Sequence, residues 1–223
     1  MGRVLSVNLG EAEPAKDART GVTGIGKRPV TGPVEVRSPG PRGTGGSGLS
    51  GDDVCDLRHH GGDDQAVYAY AEEDLADWSA ELGRRLGYGS FGENLTTSGL
   101  DLTAAPVGQR WQVGERLLLE VSSPRVPCRT FAGVLDVPGW VRKFTARARP
   151  GAYLRVLTPG PVGAGDPITV VHTPGHDITI GLTFRAITTE TELLPRLLAA
   201  DALPADILRR ARRAATARPE TAH

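Results

Sequence analysis

Two cysteines in 223 residues are too few for a disulfide framework, which points to a reducing compartment and free thiols. No apolar run approaches the about 20 residues that cross a bilayer, and the opening MGRVLSVNLGEAE turns acidic too early for a signal peptide. The expected setting is the cytoplasm, without a membrane. An excess of either charge is also lacking: 26 Lys plus Arg stand against 26 Asp plus Glu. That balance removes the bulk electrostatic case for nucleic acid as a partner.

What the chain has in quantity is punctuation, with 29 Gly and 17 Pro. Both residues break helices and mark turns, so the body should be short strands and loops, with helices gathered in the last forty-odd residues. Arg3–Leu9 and Pro33–Arg37 read as strands, as do Arg116–Val121, Tyr153–Leu157 and Ile168–His172. Ala71–Leu86 reads as an amphipathic helix, with Leu75, Trp78, Leu82 and Leu86 at helical spacing, acids in the first turn and Gly87 as its C-cap. Gly89–Leu100 reads as a loop, and Ser38–Ser47, without apolar residues, as a flexible segment. A short helix falls within Val134–Phe144, and three more read over Ile178–Ile187, Glu190–Ala200 and Ala205–Ala215. Arg209, Arg210, Arg212 and Arg213 cluster on the last helix but lack interleaved aromatics, so they read as a solvated face.

The chemistry concentrates in Gly48–Tyr70, GLSGDDVCDLRHHGGDDQAVYAY, and in Ser122–Phe131, SSPRVPCRTF, which together hold both cysteines. Cys128 sits between Pro127 and Arg129 with Arg125 nearby, and two guanidiniums favour the thiolate that attacks electrophiles or ligates soft metals. A buried, inert cysteine is the alternative. Neighbouring side chains alternate in extended chain, so one of His59 and His60 should face the site, and the Gly61-Gly62 pair favours His60. Asp52 would then orient the imidazole or act as a base, completing a Cys–His–Asp arrangement. Zinc held by Cys55, His59, His60 and Cys128 competes, without a recognised ligand spacing. Gly21–Lys27 resembles a phosphate-binding P-loop, but Arg28 replaces the required hydroxyl and Pro29 opposes the following helix. What survives is Lys27 and Arg28 beside Gly-rich backbone as a phosphate contact, with a solvated turn as the alternative.

GLSGDDVCDLRHHGGDDQAVYAY, GSFGENLTTSGL and SSPRVPCRTFAG, in that order and preceded by Gly24–Val30, resemble the MOSC domain (molybdenum cofactor sulfurase C-terminal domain). The similarity is to the stand-alone bacterial branch typified by the YiiM proteins. It implies a mainly β fold, a MOSC-type β-barrel over residues 1–174 with a few flanking helices, followed by a small three-helix domain over 175–223. It also implies binding of the molybdenum cofactor (molybdopterin), with Cys128 as the metal ligand. By motif position, His60, Asp52 and Tyr70 join Cys128 in the catalytic set, and Lys27, Arg28, Arg125 and Asn94 contact the cofactor. The implied activity is reduction of N-hydroxylated small molecules such as 6-N-hydroxylaminopurine, with protons from His60 and Asp52 and electrons from a separate donor protein, since no flavin, haem or iron–sulfur motif is present. A persulfide carrier on Cys128 and a non-catalytic cofactor carrier are the rival functions. Cys55 has no role that carries over, and the helical tail with exposed strand edges is compatible with a homodimer.

Overall fold

The computed structural model describes residues 2–217 and places a closed barrel at the centre of the chain. Its seven strands are β1 (Gly2–Leu9), β2 (Val67–Ala71), β3 (Leu95–Ser98), β4 (Arg110–Val113), β5 (Leu117–Pro124), β6 (Ala152–Thr158) and β7 (Pro167–His172). Around the ring the order is β7, β4, β5, β6, β2, β3, β1, and β1 returns to β7 through Gly2 opposite Ile168 and Arg3 opposite Pro167. Closure removes the exposed edges that an open sheet would present. Every neighbouring pair is antiparallel except β2 and β3.

That parallel pair needs a crossover, and helix α1 (Glu72–Leu82) supplies it. Glu72, Glu73 and Asp74 fill its first turn, and Leu75 and Trp78 are buried beneath it. The helix stops at Gly83, where φ is 62°, one turn before the expected Gly87. A left-handed residue is needed at that point, and glycine adopts it without a Cβ clash. The expected loop Gly89–Leu100 contains β3, whose Leu95, Thr96 and Thr97 are buried inside the sheet. The β4–β5 hairpin turns at Gly114, and β5 sends Leu117, Leu119 and Val121 into the barrel.

Outside the barrel, α2 (Arg129–Leu135) and α3 (Trp140–Arg147) replace the one short helix expected in this region. Their aromatic side chains meet those of α1: Trp78 and Trp140 have ring centroids 4.7 Å apart, and Phe131 packs edge-on to Trp140 at 5.4 Å. After the barrel come α4 (Ile180–Thr188), a 3-10 segment (Thr191–Ala199) and α5 (Ala205–Thr216). The middle element tightens to 3-10 geometry around the internal Pro195, which cannot donate an α-helical bond. Ile180, Leu182, Leu194 and Leu197 enter the same aliphatic cluster as the barrel strands, so these helices and the barrel share one core. Helices occupy about as much of the chain as strands. No helix among the described residues is long and apolar enough to cross a membrane. Residues 218–223 of the expected 175–223 region lie outside the described residues.

Ser38–Ser47, expected to be flexible, lies packed under the Gly48–Tyr70 loop. Asp63 accepts hydrogen bonds from Ser38 Oγ and from the Gly40 amide, and Gly62 donates to the Gly46 carbonyl at 3.0 Å. A Cβ on Gly62, at φ 80°, would fall 2.7 Å from the Arg42 backbone. The glycines of this region permit close backbone packing.

Candidate active site

The two chemistry-bearing stretches do meet. Both line one cavity of about 740 Å³, which also takes in the loop around Asp17–Lys27 and residues of the barrel rim. Such a volume suits a ligand of cofactor size, within the roughly 300–1,000 Å³ range of small-molecule sites.

Cys128 stands where β5 has ended and α2 begins, in extended conformation as the residue capping that helix. Its sulfur accepts a hydrogen bond from the Phe131 amide at 3.4 Å. Burial opposes ionisation of the thiol, but a hydrogen bond with His60, the Arg125 guanidinium and the Phe131 amide outweigh it and bring the pKa down to about 6. The thiolate is therefore the dominant form at neutral pH. His60 reaches this position because the chain turns at 57–60, its amide bonded to the Asp56 carbonyl at 2.9 Å. His59, whose ring pairs with Asp56 at 3.0 Å, also borders the cavity, so a turn replaces the simple alternation expected of the pair.

Arg125 is buried in the wall. Its Nη1 donates to the Phe91 carbonyl at 2.5 Å, and its guanidinium carbon lies 4.3 Å from the Phe131 ring centroid and 5.0 Å from that of Tyr68. Among the described residues no carboxylate pairs with it. A buried cation flanked by rings leaves its charge available to the Cys128 sulfur and to an anionic ligand.

Lys27 and Asp52 form a buried ion pair on the other side. Asp52 also accepts from the Gly10 amide at 2.8 Å and from Asn94 Nδ2 at 2.8 Å. This arrangement differs from the expected triad: Asp52 is held by Lys27, Asn94 and the Gly10 amide, and no hydrogen bond joins it to His60 among the described residues. Burial lowers the Lys27 pKa, with Asp52 opposing. The ammonium has further N–H donors beyond the one given to Asp52. Asn94 in turn holds the Tyr68 amide through Oδ1 at 3.1 Å, so the G-E-N-L turn ties β2 to the Asp52 loop.

Two other expected residues do not reach the cavity. Tyr70 is fully buried in the aromatic cluster, its hydroxyl receiving Trp78 Nε1 at 3.1 Å and donating to the Arg149 carbonyl at 3.2 Å. Two residues earlier on the same strand face, Tyr68 borders the cavity instead. Arg28 lies exposed on a two-residue strand beside Leu9 and does not line the cavity.

The sequence alone did not reveal Tyr153 and the Asp17–Thr20 segment as cavity walls, since they come from distant parts of the chain. It also missed Glu93, whose fully buried carboxylate receives the Gly89 and Phe91 amides at 2.6 and 3.0 Å and Thr96 Oγ1 at 3.0 Å. That clamp shapes the turn that aims the Phe91 carbonyl at Arg125. An acid between Gly92 and Asn94 in a tight turn was the available signal. Cys55 borders the cavity too, but burial and the neighbouring Asp53 push its thiol pKa up. Both cysteines are free, and among the described residues no three His, Cys, Asp or Glu side chains gather as a metal cluster.

A barrel rim carrying an activated cysteine among buried cations defines a small-molecule site of the cofactor-binding kind. The MOSC domain model matches residues 56–169, and the chain belongs to that family. It is 36% identical to YflK of Bacillus subtilis over 163 residues, covering 73% of this chain and 70% of that protein. A protein named "Reductase" from Gibberella moniliformis is 31% identical over 138 residues, covering 60% of this chain and 24% of that longer protein. The crystal structure of YiiM from Geobacillus stearothermophilus superposes with a TM-score of 0.76 at 25% identity, covering 96% of this chain and 99% of that one.

Proposed function

We propose that this chain is a molybdenum-cofactor-binding reductase of N-hydroxylated small molecules, working in the cytoplasm with electrons from a separate donor protein. The observation that carries the reading is the Cys128 thiol, lowered to about 6 inside a cofactor-sized cavity. Membership in the MOSC family and likeness to a reductase-named protein support it.

The donor set fits the group. A soft thiolate is the ligand type that molybdenum takes from a protein in this family, and Lys27 and Arg125 are buried cations suited to the phosphate of a pterin. When bound, the cofactor supplies the two-electron reducing centre at which the N–O bond is broken.

The chain's own residues have definable tasks. Cys128 would hold the metal through Sγ. Asp52, fixed by Asn94 and the Gly10 amide, holds Lys27 at the cavity wall. His60, beside the Cys128 sulfur, is the group placed to pass protons to the departing hydroxyl. Asp52 makes no hydrogen bond to His60 among the described residues, so the transfer falls to His60 and Asp52 is left to hold Lys27. The balance is one N-hydroxylated amine, two protons and two electrons giving the amine and water.

The test is metal and pterin analysis of protein purified from a host that makes the cofactor, beside Cys128→Ala. Near-stoichiometric molybdenum lost in the variant, together with reduction of 6-N-hydroxylaminopurine by the wild type, is the expected result. Absence of molybdenum from both would overturn it and favour a persulfide on Cys128, visible as added mass of one sulfur. Cofactor bound without turnover, even with a strong chemical reductant, would favour a carrier.

A further inference from the structure

The last helix carries a charge pattern that the cavity does not use. On α5, Ile207 and Ala211 are buried while Arg209, Arg210, Arg212 and Arg213 are all exposed. At helical spacing, Asp206, Arg209, Arg210 and Arg213 fall on one side, with Arg212 at its margin. None of the four arginines makes an ion pair among the described residues; Arg210 donates to the Ile187 carbonyl at 3.2 Å. In a chain of zero net charge this is a local segregation of charge.

The position of the helix gives the pattern its meaning. Asp206, in the first turn, pairs with Arg42 Nη1 at 3.0 Å, and Arg42 Nη2 donates to the His59 carbonyl at 2.9 Å. The arginine face therefore begins beside the loop that carries His60 and runs outward from it. Leu198, on the neighbouring 3-10 segment that packs against α5, is exposed as well. Arginine with an apolar neighbour is the composition of protein interfaces.

We propose that the exposed face of α5 is the docking surface for an acidic electron-transfer protein. The proposal rests on the reductase reading, which requires such a donor: the donor loses two electrons, and with two protons from solvent they convert the N–OH group to N–H and water. Complementary charge steers a transient partner and raises its on-rate. Nucleic acid fits less well, because α5 carries no aromatic residue and the adjoining loop is rich in Asp.

The experiment compares two sources of electrons on the cofactor-loaded enzyme. One is an acidic [2Fe–2S] ferredoxin recycled by its NADPH-dependent reductase; the other is dithionite-reduced methyl viologen. Arg209→Glu with Arg213→Glu should lower the ferredoxin-driven kcat/KM by about tenfold or more at low salt, and added salt should lower the wild-type rate toward it. The viologen-driven rate should not change. The milder Arg209→Gln with Arg213→Gln should fall between, and matching melting curves exclude misfolding. Equal loss with both electron sources, or no loss with ferredoxin, overturns the docking surface while leaving the reductase intact. Oligonucleotide binding lost in the variant, with the ferredoxin rate unchanged, reassigns the face to nucleic acid. No viologen-driven turnover in the wild type overturns the reductase reading itself.

Discussion

Cys55 and Cys128 border the same cavity, and their surroundings push the two thiols in opposite directions. Cys55 sits on an acidic loop where burial and Asp53 both disfavour the thiolate. Cys128 is the more enclosed of the two, and burial works against its ionisation as well, yet His60, Arg125 and the Phe131 amide reverse the outcome. Local partners thus decide thiol reactivity more than enclosure does. The rigid wall, formed where a barrel strand meets a helix, carries the activated cysteine, and the Gly-rich wall carries the groups that turn toward it.

The sharpest way to break this contrast is to exchange the two sulfurs for oxygen. Cys128→Ser should abolish reductase activity and molybdenum retention, whereas Cys55→Ser should keep most of both; comparable losses would dissolve the distinction. Next in size is the cation opposite. Lys27→Met leaves Asp52 buried with its charge uncompensated, and breaking such a pair costs about 3–5 kcal/mol. Chemical denaturation should show that loss, and Lys27→Met with Asp52→Asn should recover part of it.

A smaller effect separates the thiols directly. In cofactor-free protein at pH 7, a larger fraction of Cys128 than of Cys55 is thiolate, because the surroundings lower the one pKa and raise the other. A low-pKa thiolate is the weaker nucleophile, so iodoacetamide should label Cys128 several-fold faster, read by peptide mass spectrometry. The sign of the pH dependence follows from the lowered pKa. Labelling of Cys128 should rise through about pH 6 and level off, while that of Cys55 should still be climbing above pH 9. Arg125→Met should move the Cys128 midpoint upward. Least of all, Arg42→Ala removes a half-exposed pair with Asp206 and should change stability by no more than about 1 kcal/mol.

The contrast also marks how far the sequence could be read. Elements with a strong period were legible: β1, α1 and α5 stand where alternation or helical spacing put them, because one face of each is buried. Cys128 and His60 were legible as chemical types beside Pro and Gly. What failed were choices between neighbours. Tyr68 and Tyr70 share a strand face, and only the depth of the aromatic cluster decides which one meets the cavity. Asp52 looked free for His60 because nothing local revealed Lys27, 25 residues away, as its partner. β3 escaped notice because Leu95–Ser98 is short and mostly polar, and its place depends on pairing with both β1 and β2. Ser38–Ser47 has the composition of a linker, yet its backbone is used as packing material.

The seam between β1 and β7 has a consequence for how the chain is made. Strand β1 and its partner around Pro167–Ile168 lie more than 160 residues apart in the chain, so the partner is synthesised long after β1. Until then β1 lacks one neighbour, and pairings this distant in sequence form slowly. Gly10, which anchors Asp52, follows directly on β1, so the wall that holds Lys27 inherits the delay. Assembly of that wall is therefore expected to wait until β7 has been made and has paired with β1.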